Sequence, residues 1–453
     1  MLKIAFIHIL KDVVFCISNL DIRKNYFTLS HCVEFDYGLN IIQKYIKRIF
    51  LKRTAKMLLE IIFALFFGII FGTLTGLTPG IHINLVGSIL ISLSAMLLGI
   101  FTPITIVIFI VSMSIAHTFL DFIPSIFLGA PDDDTVLSVL PGHELLKLGR
   151  GYEAIYLSSI GSLLALPIII AMSIVFILFL DKINPLIKIF TPYLLIASGI
   201  FLISKDAKKL MALVVFIISG FLGVIVLNSN LDQPLLPLLT GLFGASSMII
   251  SINSKVKIPK QKISYSKIKW KDIKLPFFAS MISSSLCGFL PALGSGQAAV
   301  LGSSFKKLSR KQFLILLGAT NTIVLGISFT VLYTIGKSRT GSAVFVSEIL
   351  EKININHIII IMITIIITGI LCFHWTLFLG KKFSNIVSKI NYTKISILVL
   401  IINSIVVLIF SGFLGFGIFI LSTLIGLYGI ISGVRRINLM GCLIVPVVLF
   451  YLV

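Results

Sequence analysis

Two stretches of this chain combine residues able to hold an anion: Gly76-Leu-Thr-Pro-Gly-Ile-His-Ile-Asn84 and Gly288-Phe-Leu-Pro-Ala-Leu-Gly-Ser-Gly296, the latter followed by Gln297. Proline lacks an amide hydrogen and clashes with the preceding turn, and glycine permits backbone closed to other residues, so each stretch is a place for a helix to stop. The helix that restarts points unpaired amide hydrogens and the positive end of its dipole into the gap. In the first stretch Gly76, Thr78, Pro79 and Gly80 form the break, and His82 and Asn84 add donors in the next first turn. In the second, Gly294, Ser295, Gly296 and Gln297 take the same part. Both arrangements suit the carboxylate oxygens of a small organic anion. A further set suits a cation: Asp132, Asp133 and Asp134 in Gly129-Ala-Pro-Asp-Asp-Asp-Thr135, together with Asn321 and Thr322, offer hard oxygen ligands for Na⁺ or, in the carboxylates, a seat for a proton.

Each motif also has a purely structural reading. Gly72, Gly76 and Gly80 are spaced four apart, the pattern that lets two membrane helices pack closely. Ala-Pro-Asp-Asp-Asp-Thr is a good helix N-terminus, with acids complementing the dipole. Three consecutive aspartates exclude a lipid-facing position, since each costs ~3 kcal/mol at the bilayer centre. Asp121 ends an apolar run and so reads as a membrane boundary. His117, Asp121 and the aspartate triad could instead form an acid/base or metal cluster, but no Asp-x-x-x-Asp pair recurs and no second histidine stands near His117.

The elements that position these residues are membrane helices. A mean hydropathy of +1.11, with 57% hydrophobic and 12% charged residues, describes an all-α polytopic protein of about ten to twelve crossings plus shorter re-entrant pieces. No sizeable soluble enzyme module is left over. The net charge of +21 sits in short loops between apolar runs, which points to positive-inside retention and away from nucleic acid. The five cysteines show neither paired nor ligand spacing, so no disulfide framework, metal or cofactor is expected.

Residues 1–56 are of mixed polarity and read as an N-terminal extension; Met57, beside the first strong span, is a candidate start, which peptides from residues 1–50 would refute. A basic cluster from Lys44 to Lys56 belongs in the cytoplasm by charge bias, as do Lys205, Lys208 and Lys209 and the lysines between Lys255 and Lys274. Four crossings between Tyr152 and Ile252 fit this alternation. Beyond residue 275 the basic loops at Lys306–Lys311, Lys381–Lys382 and Arg435–Arg436 share a side only if short segments re-enter. Residues 57–275 and 276–453 read as two transmembrane repeats, since the two glycine-proline breaks correspond and Ala116-His117-Thr118 weakly matches Ala319-Thr320-Asn321-Thr322.

Gly76 to Gly80, Pro131 to Thr135 and Gly142-His-Glu-Leu-Leu-Lys-Leu-Gly-Arg-Gly151, with Gly241-Leu-Phe-Gly244 and Gly288 to Gly296, resemble the large membrane subunit of the tripartite tricarboxylate transporters, TctA, and especially its archaeal branch. The Asp132 to Asp134 stretch and Leu140-Pro-Gly-His-Glu144 depart from the family pattern and add negative charge. The resemblance implies a multi-pass cell-membrane protein that is not an enzyme. It implies Na⁺- or proton-driven uptake, with a small membrane subunit and an extracytoplasmic solute-binding protein as partners. The expected function is secondary transport of a di- or tricarboxylate. The alternatives are a lipid-linked phosphate or polyprenyl carrier, which keeps the two-repeat fold, and an intramembrane enzyme acting on a lipid.

Overall fold

A computed structural model describes residues 56–78, 83–128, 139–231, 233–254, 259–290, 293–337, 340–388 and 392–452. Pro79, Gly80, His82, Asp132, Asp133, Asp134 and residues 1–55 lie outside them. Two compact units divide the chain, Met1–Leu59 and Glu60–Val453, and the second holds the helices that matter here.

In chain order the helices are α1 (Lys56–Leu77), α2 (Ile83–Ser92), α3 (Ser94–Ile100), α4 (Pro103–Leu120), α5 (Phe122–Leu128), α6 (Val139–Lys147), α7 (Gly151–Ser204), α8 (Lys209–Leu227), α9 (Leu235–Leu239) and α10 (Ser246–Ser254). Then come α11 (Trp270–Phe289), α12 (Ser295–Ser304), α13 (Arg310–Ile335), α14 (Gly341–Ile349), α15 (Ile355–Val387), α16 (Tyr392–Ile431) and α17 (Gly441–Leu452). No strand occurs among the described residues. Seven helical stretches are long and apolar enough to cross a membrane, and three shorter apolar ones, Ile189–Ser204, Leu235–Ile250 and Arg436–Leu452, accompany them. This is an all-α, multi-pass membrane protein.

Burial sorts these helices into layers. The most apolar stretch of α13 is 100% buried and that of the α4–α5 span 94%, against 17% for α1. Lipid is as apolar as leucine, so exposed Phe63, Phe66, Ile174, Phe221 and Ile409 are at home on the outer layer. The inner pair is where polar side chains gather.

The direction of each helix follows from its contacts. Gly68, Gly72 and Gly76 lie against α4 in step. A Cβ on Gly68 would stand 2.7 Å from the Phe109 carbonyl oxygen, one on Gly72 2.6 Å from Ala116 Cβ, and one on Gly76 2.9 Å from Leu120 Cβ. So α1 and α4 run parallel, and α2–α3 carry the chain back between them. The second half repeats the path. Gly302 of α12 faces both Ser283 of α11 and Leu316 of α13, and Gln312 Nε2 donates to the Lys271 carbonyl (3.1 Å), so α11 and α13 start at one end and α12 returns to it. The break is real here: Leu290 and Gly294 are extended. This return resolves the loop parity, because Lys306 to Lys311 now share an end with the lysines before α11.

The two hairpins enter from opposite ends. Phe127, at the end of α5, touches Gly151 at the start of α7, and α7 runs parallel to α13 through Ser158 with Gly318 and Ser173 with Thr330 (2.8 Å). Hence α4–α5 approach the end from which α11 and α13 depart. The stretches from α7 to α10 bring the chain back to that end, where Lys262 N donates to the Gly149 carbonyl (2.7 Å) and Gln261 Nε2 to the Leu146 carbonyl (3.0 Å). Lys381, at the foot of α15, stands over the Tyr265 ring there. Charge bias makes this basic end the cytoplasmic one. The basic cluster from Lys44 to Arg53 lies outside the described residues.

Candidate functional site

The inner helices α4 and α13 cross where the halves match in sequence. Thr118 and Thr322 meet with their hydroxyl oxygens 3.2 Å apart. Thr118 already donates to the Ile115 carbonyl (2.9 Å), so Thr322 is the donor between them. Asn321 Nδ2 donates to Asp121 Oδ2 (2.8 Å) and makes a longer contact with the Thr118 carbonyl (3.4 Å). One turn back, His117 Nδ1 lies 3.1 Å from Thr75 Oγ1 of α1. His117, Thr118, Asp121, Asn321 and Thr322 are all at least 96% buried.

Asp121 therefore does not mark a membrane boundary. The chain continues past it as α5, whose seven residues are all buried, so the carboxylate sits inside the span. Pro124 explains why α4 and α5 are separate, since it has no amide hydrogen to give the Leu120 carbonyl. An ionised carboxylate held away from water needs a cation, a proton or strong donors. The crossing supplies carboxylate, hydroxyl, amide and carbonyl oxygens within a few residues, a set that fits Na⁺ or a proton.

The second hairpin brings its N-terminus to the same layer. Counting back from Gly302, which faces Leu316, Ser295 stands ~10 Å further along α13 at 1.5 Å per residue, level with Asn321 to Ile323. Ser295, Gly296 and Gln297 are buried. Gln297 Oε1 accepts from Gly294 N (2.9 Å), so one of the expected amide donors is used internally. Its Nε2 is buried with no hydrogen-bond partner among the described residues. In the first hairpin Gly76 lies against Leu120 and the Asp121 amide, and Thr78 N closes the last turn on the Leu74 carbonyl (3.1 Å). Thus the glycine spacing serves helix packing at Gly68, Gly72 and Gly76, while the break itself falls beyond Leu77. Asn84 lies in the first turn of α2.

Of the residues singled out by their type and spacing, Gly76 and Thr78 in one half and Asn321 and Thr322 in the other thus lie at this level, with Gly294 to Gln297 beside them. Sequence reasoning considered Asp121 only in an acid/base or metal cluster with His117, and it gave no reason to include Thr75. A signal for Asp121 was nonetheless present in the apolar Phe122–Leu128 that follows it. Among the described residues no three His, Cys, Asp or Glu side chains come together as a metal set. The Gly241-Leu-Phe-Gly244 motif lies elsewhere, in a π-helical turn (Thr240–Ala245) pressed on α16 at Phe419 to Thr423.

No solved structure matches this chain. It is 32% identical over 385 residues to an uncharacterised protein of Methanocaldococcus jannaschii, a match covering 83% of this chain and 94% of that one. The model of the tripartite tricarboxylate transporter TctA family matches residues 62–441. Spanning nearly the whole described bundle, that match places the chain in the TctA family, the membrane component of a tripartite transporter.

Proposed function

We propose that this chain is the membrane carrier for a small organic anion of the di- or tricarboxylate class, driven by a Na⁺ or proton gradient. The observation that carries the proposal is the crossing of α4 and α13. There α4 and α13 run antiparallel and meet at Thr118 and Thr322, with a buried Asp121–Asn321 pair near the end of α1 and the start of α12. Paired broken helices in inverted repeats place a substrate at mid-membrane, where helix N-termini face anionic groups and freed oxygens face the coupling ion. On this reading Gly76, Thr78, Pro79, Gly80, His82 and Asn84 line one side of the anion seat, and Gly294, Ser295, Gly296 and Gln297 the other. Asp121, Asn321 and Thr322 hold the coupling cation, with Asp132 to Asp134 as outer candidates. A small membrane subunit and an extracytoplasmic solute-binding protein are the partners this mode of uptake calls for.

The test is uptake of radiolabelled citrate and a panel of di- and tricarboxylates into proteoliposomes, with and without imposed Na⁺ or proton gradients, and with and without an extracytoplasmic solute-binding protein of a tripartite transporter. Gradient-dependent accumulation of any carboxylate is expected. Absence of uptake from folded protein supplied with its partner would overturn the reading and favour a lipid-linked substrate.

A further inference from the structure

At the basic end of the bundle, away from the crossing, a cavity of about 460 Å³ is lined by Arg150, Lys267, Lys269, Lys271, Arg310 and Lys311, with Glu153 and Asp272 among them. It lies where α7, α11 and α13 begin, so three helix N-termini converge on it. Six of these side chains are cationic and two acidic, and the acids are already engaged. Glu153 accepts from Arg150 Nε (2.6 Å) and Nη2 (2.8 Å) and from Ser266 Oγ (2.7 Å), and Asp272 accepts from the Lys269 amide (3.0 Å). Arg310 pairs with Glu144. Lys267, Lys269, Lys271 and Lys311 form no ion pair with a described residue.

We infer that this cavity binds a phosphate-bearing anion. Four lysine ammonium groups face one acid outside an ion pair, Asp272, so a net positive charge remains around the concavity, and a multiply charged anion relieves the repulsion while gaining the positive ends of three helices. The Arg150 fork is held by Glu153 through two hydrogen bonds, and Arg310 Nη2 pairs with Glu144. What is left is a ring of compact, strongly hydrated point charges, the arrangement that suits phosphate. Depth points the same way: Trp270, 73% exposed between Lys269 and Lys271, is an interfacial aromatic, which sets the cavity at the level of lipid headgroups. Phosphate there comes from an anionic phospholipid or from free phosphate in solution. Because the cavity shares no residue with the α4–α13 crossing, this site stands or falls independently of the transport reading.

The experiment titrates the purified full chain in neutral detergent by calorimetry, with inorganic pyrophosphate in one arm and short-chain phosphatidylglycerol against phosphatidylcholine in the other. Saturable binding in at least one arm is expected, weakened at least tenfold in the Lys267→Gln/Lys271→Gln/Lys311→Gln variant and by raised salt. Binding confined to phosphatidylglycerol identifies the lipid source; binding of pyrophosphate identifies the soluble one. Should the triple variant fail to remain monodisperse, Lys311→Gln alone is expected to weaken binding by about threefold. No binding in either arm, equal binding of phosphatidylcholine, tighter binding of citrate than of pyrophosphate, or affinity unchanged by the lysine substitutions would each overturn the inference.

Discussion

Helices α4 and α13 follow the same path in opposite directions, yet they bring different chemistry to the point where they cross. Thr118 and Thr322, which the weak sequence match pairs, touch. Their neighbours break the symmetry. His117 corresponds to Asn321, and the acid at Asp121 has Leu325 as its counterpart. The first half thus supplies every ionisable group at the crossing and the second supplies a neutral amide that orients one of them. On the proposed function, the two hairpins would rock against each other. A coupling site, by contrast, needs a single carboxylate, because two at this distance would repel or share a proton.

The largest effect is expected from removing that asymmetry. Asp121→Asn keeps shape and hydrogen bonding but deletes the charge, and gradient-driven uptake should fall by at least about 100-fold, the equivalent of ~3 kcal/mol lost from a buried charged interaction. Normal amounts of protein in the membrane should accompany the loss. Asn321→Ala removes the amide that holds the carboxylate, and uptake should drop about 10-fold or more, since hydrogen bonds to charged groups contribute ~1.5–3 kcal/mol. Asn321→Asp is the sharper variant. It places a second carboxylate against the first, so uptake should become markedly more dependent on pH than in the wild type.

Packing variants separate the scaffold from the site. Gly72→Leu forces a side chain into the Met113–Ala116 backbone of α4 and should lower stability by ~1–3 kcal/mol, read as a lower thermal midpoint in detergent. Thr118→Val removes one neutral hydroxyl contact and should cost uptake only about 2- to 10-fold. Glu144→Gln breaks a half-exposed ion pair with Arg310 and should leave both the thermal midpoint and uptake within error, because such pairs contribute under ~1 kcal/mol.

Much of the scaffold was legible in the sequence because its signals are local. Apolar runs, glycines four apart and glycine-proline breaks each act within a few turns of one helix, and the helices end where those residues stand. The re-entrant returns were legible as glycine-proline breaks and as a contradiction among basic loops, to which the α11–α12 hairpin gives a shape. The parallel packing of Gly68 to Gly76 on α4 was legible only as a glycine spacing, because its partner helix lies some forty residues further along the chain. The Asp121–Asn321 pair was not legible at all. It joins residues 200 positions apart, and Asp121 resembles any acid closing a membrane span until the buried α5 beyond it is seen.

Cross-linking at the crossing tests the account most directly. With the native cysteines replaced, Thr118→Cys/Thr322→Cys should form a disulfide on mild oxidation, visible as a shift after proteolysis between the halves. The linked protein should lose uptake and regain it on reduction. A folded double variant that does not cross-link, or one that cross-links fully and still transports at the uncross-linked rate, would contradict the claim that transport is built on this crossing.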